Sequence, residues 1–172
     1  MLTKEQEEWV NHLRERPIPI VPYDPRTPEL FAAVEARIKR ILGPEAVVVH
    51  CGASSFGISG QDEIDVSIEC EASEFDSYVV CLEKEFGAVK SRYPDRARFE
   101  VKQDGKKIDL KLCDRRHPNY VAGKIFEDFL HKNPADLERY RILKEKNNGV
   151  SVKEYYRQKN EFINEILERA KQ

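Results

Sequence analysis

His50-Cys51-Gly52-Ala53-Ser54-Ser55, followed after residues 56–61 by Asp62-Glu63-Ile64-Asp65-Val66-Ser67-Ile68, is the stretch on which the fold turns. Residues 46–51 (AVVVHC) are apolar, β-branched and continuous, which predicts a buried strand. Residues 64–70 alternate apolar and polar, the period of a strand with two unlike faces. On that strand Glu63, Asp65 and Ser67 point one way and Ile64, Val66 and Ile68 the other. Two acids therefore stand about 6–7 Å apart along one face. Like charges so close repel unless water or a cation screens them. The intervening GASSFGISGQDE is rich in glycine and serine. Glycine lets backbone N–H groups approach phosphate oxygens closely, and small hydroxyls can add donors.

Working outward, residues 97–113 read as a hairpin. Phe99 and Val101 alternate on the way out, Asp104-Gly105 is a strong two-residue turn signal, and Ile108, Leu110 and Leu112 alternate on the return. Asp109 interrupts that apolar rhythm and faces away from the core. If the return strand lies beside residues 64–70, Glu63, Asp65 and Asp109 converge. Hard oxygen ligands of this kind suit Mg²⁺ or Mn²⁺. Acids on a solvated sheet face are common without any ion. The glycine-serine segment just upstream is what adds weight to the functional reading here.

Helices flank this centre. Thr3 with Gln6 makes a capping box ahead of Trp9, Val10 and Leu13, and the helix ends before Pro17-Ile18-Pro19. Thr27-Pro28 predicts a cap and a first-turn proline for a helix with the face Leu30, Phe31, Val34, Ile38 and Ile41, closed by Gly43-Pro44. Ser73 and Asp76 predict the cap of a crossover helix carrying Phe75, Tyr78, Val79, Leu82 and Phe86. Three further helices follow, started by Pro118, by Asn133-Pro134 and by the pair Ser151 and Glu154. The aromatics Phe75, Phe86, Phe126 and Phe129 fall at helical spacings and read as core. The order predicts an α+β fold, read as one domain over residues 1–172 with residues 118–172 as its helical C-terminal part.

Composition narrows the function classes. The net charge of −2 gives no global attraction to nucleic acid, so an RNA-binding role would need a basic stripe that the sequence does not display. No apolar run reaches the ~20 residues of a membrane span, and the charged first residues do not form a signal peptide. The four cysteines, Cys51, Cys70, Cys81 and Cys113, make no C-x-x-C pair. A reduced, cytoplasmic protein is expected.

Gly52-Ala53 followed by Asp62-Glu63-Ile64-Asp65-Val66, with Asp109 in Lys107-Ile108-Asp109-Leu110-Lys111, resembles the nucleotidyltransferase superfamily signature. That signature is a glycine-serine turn, a spacer, two acids around one apolar residue, and a third acid on a later strand. The resemblance implies a mixed β-sheet with helices packed on one side. A narrower resemblance, to the GrpB family, spans nearly the whole chain. It rests on Ile20-Val21-Pro22-Tyr23-Asp24-Pro25, Phe31, His50-Cys51-Gly52, Phe126-Glu127-Asp128-Phe129-Leu130, Asn133-Pro134, Tyr140, Leu143-Lys144 and Tyr156-Arg157-Gln158-Lys159-Asn160-Glu161-Phe162-Ile163. Three departures stand out. Typical members carry threonine in the segment occupied here by Gly52-Ala53-Ser54, have one acid where this chain has Glu63 and Asp65, and carry histidine-leucine-histidine where it has Asp109-Leu110-Lys111.

The resemblance implies transfer of a nucleoside monophosphate from an NTP to an acceptor, with Mg²⁺ or Mn²⁺, two ions if active. Glu63, Asp65 and Asp109 would be both the catalytic and the metal-holding set, with Asp109 assisting deprotonation of the acceptor. Gly52, Ala53, Ser54, Ser55 and Lys111 would bind phosphates, and His50 would stand behind the site. Lys107, Arg115 and Arg116 are read as a solvated rim or as neutralisers of triphosphate charge. The alternative is a catalytically inactive nucleotide- or protein-binding module of the same fold, which Ala53 favours.

Overall fold

The computed structural model describes residues 1–172. Its elements run α1 (Lys4–His12), α2 (Thr27–Leu42), β1 (Val47–Cys51), α3 (Gly52–Ser55), β2 (Glu63–Cys70), α4 (Phe75–Phe86), β3 (Ser91–Arg92), β4 (Arg96–Gln103), β5 (Lys106–Asp114), α5 (Pro118–Lys132), α6 (Pro134–Lys146) and α7 (Val152–Arg169). This is an α+β fold with one mixed sheet in the order β1-β2-β5-β4-β3. Two compact units form: Tyr23–Gly57 with Glu63–Val121, and Met1–Pro22 with Ile58–Asp62 and Ala122–Gln172.

In the sheet unit the β4-β5 hairpin turns at Asp104 (φ 47°) and Gly105 (φ 81°), the paired left-handed residues that a twist-matched two-residue turn requires. That turn fixes the register from Gln103↔Lys106 to Arg96↔Cys113. β2 runs antiparallel to β1 and parallel to β5, with Asp65 opposite Asp109. Alternation then sends Ile64, Val66, Ile68, Phe99, Ile108, Leu110 and Leu112 to one face. There they meet Leu30, Val34 and Ile38 of α2 and Phe75, Val79 and Leu82 of α4. Each fully buried aliphatic side chain contributes about 1.5–3 kcal/mol. Both helices cover this face, so the β2 and β5 residues of opposite parity form a separate, polar face.

Several local expectations change. β1 is an edge strand rather than a buried one, with Val47 46% exposed, because β2 is its only neighbour. An apolar run alone does not distinguish the two. Asp24 opens α2: its carboxylate accepts from the Arg26 amide and its carbonyl from the Thr27 amide, both at 3.0 Å. The Thr27 hydroxyl is buried and makes no capping bond. At α4 the Glu74 carboxylate accepts the Glu71 amide at 2.9 Å. Asp76 pairs with Arg92, so neither Ser73 nor Asp76 caps. The glycine-serine segment winds into the short helix α3.

In the helical unit the Thr3–Gln6 capping box forms, at 2.9 and 3.2 Å. The Ile18 amide donates to the Val150 carbonyl at 2.9 Å and the Gly149 amide to the Ile18 carbonyl at 2.8 Å, joining the N-terminal extended segment to the turn before α7. Ile18, Ile20, Val152 and Tyr155 are buried together there. Phe126 packs edge-on to Tyr140 and Phe162. Ser151 caps α7 by accepting the Glu154 amide at 3.5 Å. Asn133 instead closes α5, its side-chain amide donating to the Phe129 carbonyl at 2.8 Å. No helix is long and apolar enough to cross a membrane.

Candidate metal centre

The polar face of the sheet follows from two registers. Parallel pairing sets Glu63 opposite Lys107, Asp65 opposite Asp109 and Ser67 opposite Lys111. The hairpin sets Glu100 opposite Asp109 and Arg98 opposite Lys111. Strand alternation turns all of these away from the apolar core. The carboxylate oxygens of Glu63, Asp65 and Asp109 thereby come within 4.8 Å of one another.

Three cations answer the three acids. Lys111 Nζ lies 2.9 Å from Asp65 Oδ1 and 3.1 Å from Asp109 Oδ2. The Arg98 Nε–H donates to Asp109 Oδ1, and Lys107 Nζ lies 2.9 Å from Glu63 Oε2. Asp109 is the most buried acid, 4% exposed. Burial works against its charge, but Lys111 and Arg98 together outweigh that and hold its pKa below the ordinary aspartate value. Burial likewise opposes the charge on Lys111, and the Asp65 and Asp109 carboxylates more than offset it, raising its pKa. Both groups stay ionised at neutral pH.

The glycine turn supports this cluster from the end of β1. Gly52 has φ +72°, and a Cβ there would clash with Asp65 Oδ2 and stand only 3.0 Å from Asp65 Cγ. Its missing side chain makes room for the Asp65 carboxylate. Ser54 Oγ is hydrogen-bonded to His50 Nε2 at 2.9 Å, and Ser55 Oγ donates to the Gly52 carbonyl at 2.7 Å. The Ala53 side chain is buried. His50 stacks on Phe31, with ring centroids 4.9 Å apart; burial pulls its pKa down and the Asp65 charge opposes that only in part. Arg115 and Arg116 pair with Glu71.

Arg98 is the member of the cluster that sequence reading overlooked. The signal was present: once Asp104-Gly105 sets the turn, counting back along both strands puts Arg98 across from Lys111 and diagonal to Asp109.

Three carboxylates at this spacing offer the oxygen donor set that a small divalent cation takes, and the donors fit such an ion. The GrpB protein family matches residues 17–169. The chain belongs to the GrpB family. This GrpB protein is 29% identical over 160 residues to the UPF0157 protein BH1888 of Halalkalibacterium halodurans, covering 89% of this chain and 82% of that one. It is 28% identical over 153 residues to the UPF0157 protein VC_A0354 of Vibrio cholerae, at 86% and 79% coverage. With the UPF0157 protein YqkA of Bacillus subtilis it shares 24% identity over 169 residues, 91% of this chain and 48% of that longer relative. Among solved structures, a cytoplasmic RNA terminal U-transferase aligns with a TM-score of 0.46 and 17% identity, over 78% of the GrpB chain and 43% of its own.

Proposed function

We propose that this GrpB protein is a metal-dependent nucleotidyltransferase, moving a nucleoside monophosphate from an NTP to an acceptor hydroxyl. One observation carries the reading: Glu63, Asp65 and Asp109 present carboxylate oxygens within 4.8 Å of one another from two adjacent parallel strands. Glu63, Asp65 and Asp109 would hold Mg²⁺ or Mn²⁺, which when bound supplies charge neutralisation at the phosphates and a more acidic acceptor hydroxyl. Asp109, kept ionised by Lys111 and Arg98, suits charge stabilisation better than proton capture, since a carboxylate of lowered pKa is a weak base. The Gly52–Ser55 turn would bind phosphate through its backbone, since glycine permits close approach of N–H groups to phosphate oxygens. Ser54 and Ser55 would have to exchange their present hydrogen bonds for phosphate contacts. Lys111 would reach phosphate only by leaving Asp65 and Asp109. The four free thiols fit a reducing, cytoplasmic setting for this activity.

A second reading, a binding module without catalysis, is favoured by the cations that already match each acid. Calorimetric titration with ATP and Mn²⁺ separates the possibilities. The parent is expected to bind the pair, and Asp65→Asn to lose at least about tenfold in affinity while keeping its thermal transition. Equal affinity in both proteins overturns the metal-dependent reading. Binding without turnover, in a screen of labelled NTPs against metabolite, RNA and protein acceptors, supports the module.

A further inference from the structure

The acid cluster contains a cation of its own in the place where an added one would act. We propose that the Lys111 ammonium is a tethered occupant of the position between Asp65 and Asp109, and that a divalent cation binds there only by displacing it. The inference deepens the reading of this site as a metal centre and rests on that reading.

The geometry makes the two occupants exclusive. Lys111 Nζ sits between Asp65 Oδ1 at 2.9 Å and Asp109 Oδ2 at 3.1 Å. A magnesium ion needs such oxygens at about 2.0–2.1 Å, which leaves no room for an ammonium between the same pair. Two positive centres so close, in a half-buried setting, also repel strongly. Both Asp109 oxygens are already engaged, Oδ1 accepting from Arg98 and Oδ2 facing Lys111.

The two cations on Asp109 differ in how readily they leave. Arg98 presents a planar fork, whereas lysine ends in a compact charge on a flexible four-carbon stem with freely turning donors. Lys111 lies two residues beyond Asp109 on the same face of β5, opposite the small side chain of Ser67, and folds back to reach both acids. Its side chain is 30% exposed, so part of it already faces water. Once displaced it remains tethered to that face, a free positive charge beside the site. In the metal-free protein the three acids are matched by Lys111, Arg98 and Lys107 together. The polyanion that suits the open state is one arriving with its own divalent cation, since the cation takes the acids and the released ammonium meets the phosphates.

The test is manganese binding in the absence of nucleotide, read as free Mn²⁺ by electron paramagnetic resonance. Lys111→Met is expected to bind Mn²⁺ about tenfold or more tightly than the parent, and Lys111→Arg no more tightly than the parent. Adding Asp65→Asn to Lys111→Met should abolish the gain. If parent and Lys111→Met bind Mn²⁺ equally, the displacement role is wrong while the metal centre stands. If neither binds, both fail. Should Lys111→Met unfold, Lys111→Gln serves in its place. If that unfolds too, acetylation of Lys111 in the parent decides: a several-fold faster reaction with Mn²⁺ supports displacement, and an unchanged rate overturns it.

Discussion

Two ionic clusters in this chain use the same residue types to opposite ends. In the helical unit Asp136, 5% exposed, accepts from Arg139 at 2.8 Å and from both terminal nitrogens of Arg169 at 2.7 Å. Arg139 also forks onto Glu165 at 2.8 and 2.9 Å. Acids and guanidiniums alternate, and the buried acid is held by two planar guanidiniums, Arg169 gripping both of its oxygens and Arg139 one. Such a cluster joins α6 to α7 and asks for nothing further. In the sheet unit three acids are pressed together, and the bridging cation is a flexible lysine. Acid gathering costs stability that a purely structural cluster has no reason to accept. Ionic content alone therefore does not set the two clusters apart; the grouping of like charges in the sheet unit does.

The comparison can be broken by mutation. The largest effect is expected from Asp109→Asn, which leaves Arg98 and Lys111 facing a neutral group and should cost about 2–3 kcal/mol, part of the buried-pair penalty being relieved by the exposure of both cations. Denaturant melts should show this loss together with the loss of any stabilisation by Mn²⁺. Asp136→Asn is expected to cost less, about 1–2 kcal/mol, because Arg139 and Arg169 reach water more readily. Its Mn²⁺ response should match the parent's; a changed response would erase the distinction between the clusters.

The smallest effect is a pH dependence. Folding lowers the pKa of Asp109 against the opposing effect of burial, through Lys111 and Arg98. Its ionised form therefore stabilises the fold fully above the unfolded value, about pH 4. That contribution is lost as pH falls through the lower folded value. The gap between parent and Asp109→Asn should be constant from neutral pH to about 5 and shrink below about 4. A gap that instead shrinks between pH 5 and 7 would mean that Asp109 is not held ionised by its neighbours.

Much of the sheet was legible because its signals are local. Asp104-Gly105 dictates a turn, the turn dictates register, and alternation then sorts Asp109 from Leu110. The misreadings share a cause as well. AVVVHC looks buried by composition, yet burial depends on how many neighbours a strand acquires, which no window of sequence contains. Thr27, Ser73, Asp76 and Asn133 have capping chemistry, but Asp24 opens α2, Glu74 ties down the turn ahead of α4 and Asn133 turns back onto α5. Several nearby side chains could cap, and packing chose among them.

By itself the sequence determined which residues could share a face: Glu63 with Asp65, Asp109 with Lys111, and the apolar set that buries β2 and β5. Period-two alternation is a property of the extended chain and needs no partner. Tertiary structure alone decided that β2 and β5 pair in parallel with Asp65 level with Asp109, a match between residues far apart in the chain. One step of slippage would have turned one strand's acids into the core. It also decided that Lys111 reaches both acids, because a long side chain takes its partners from whatever strand lies beside it.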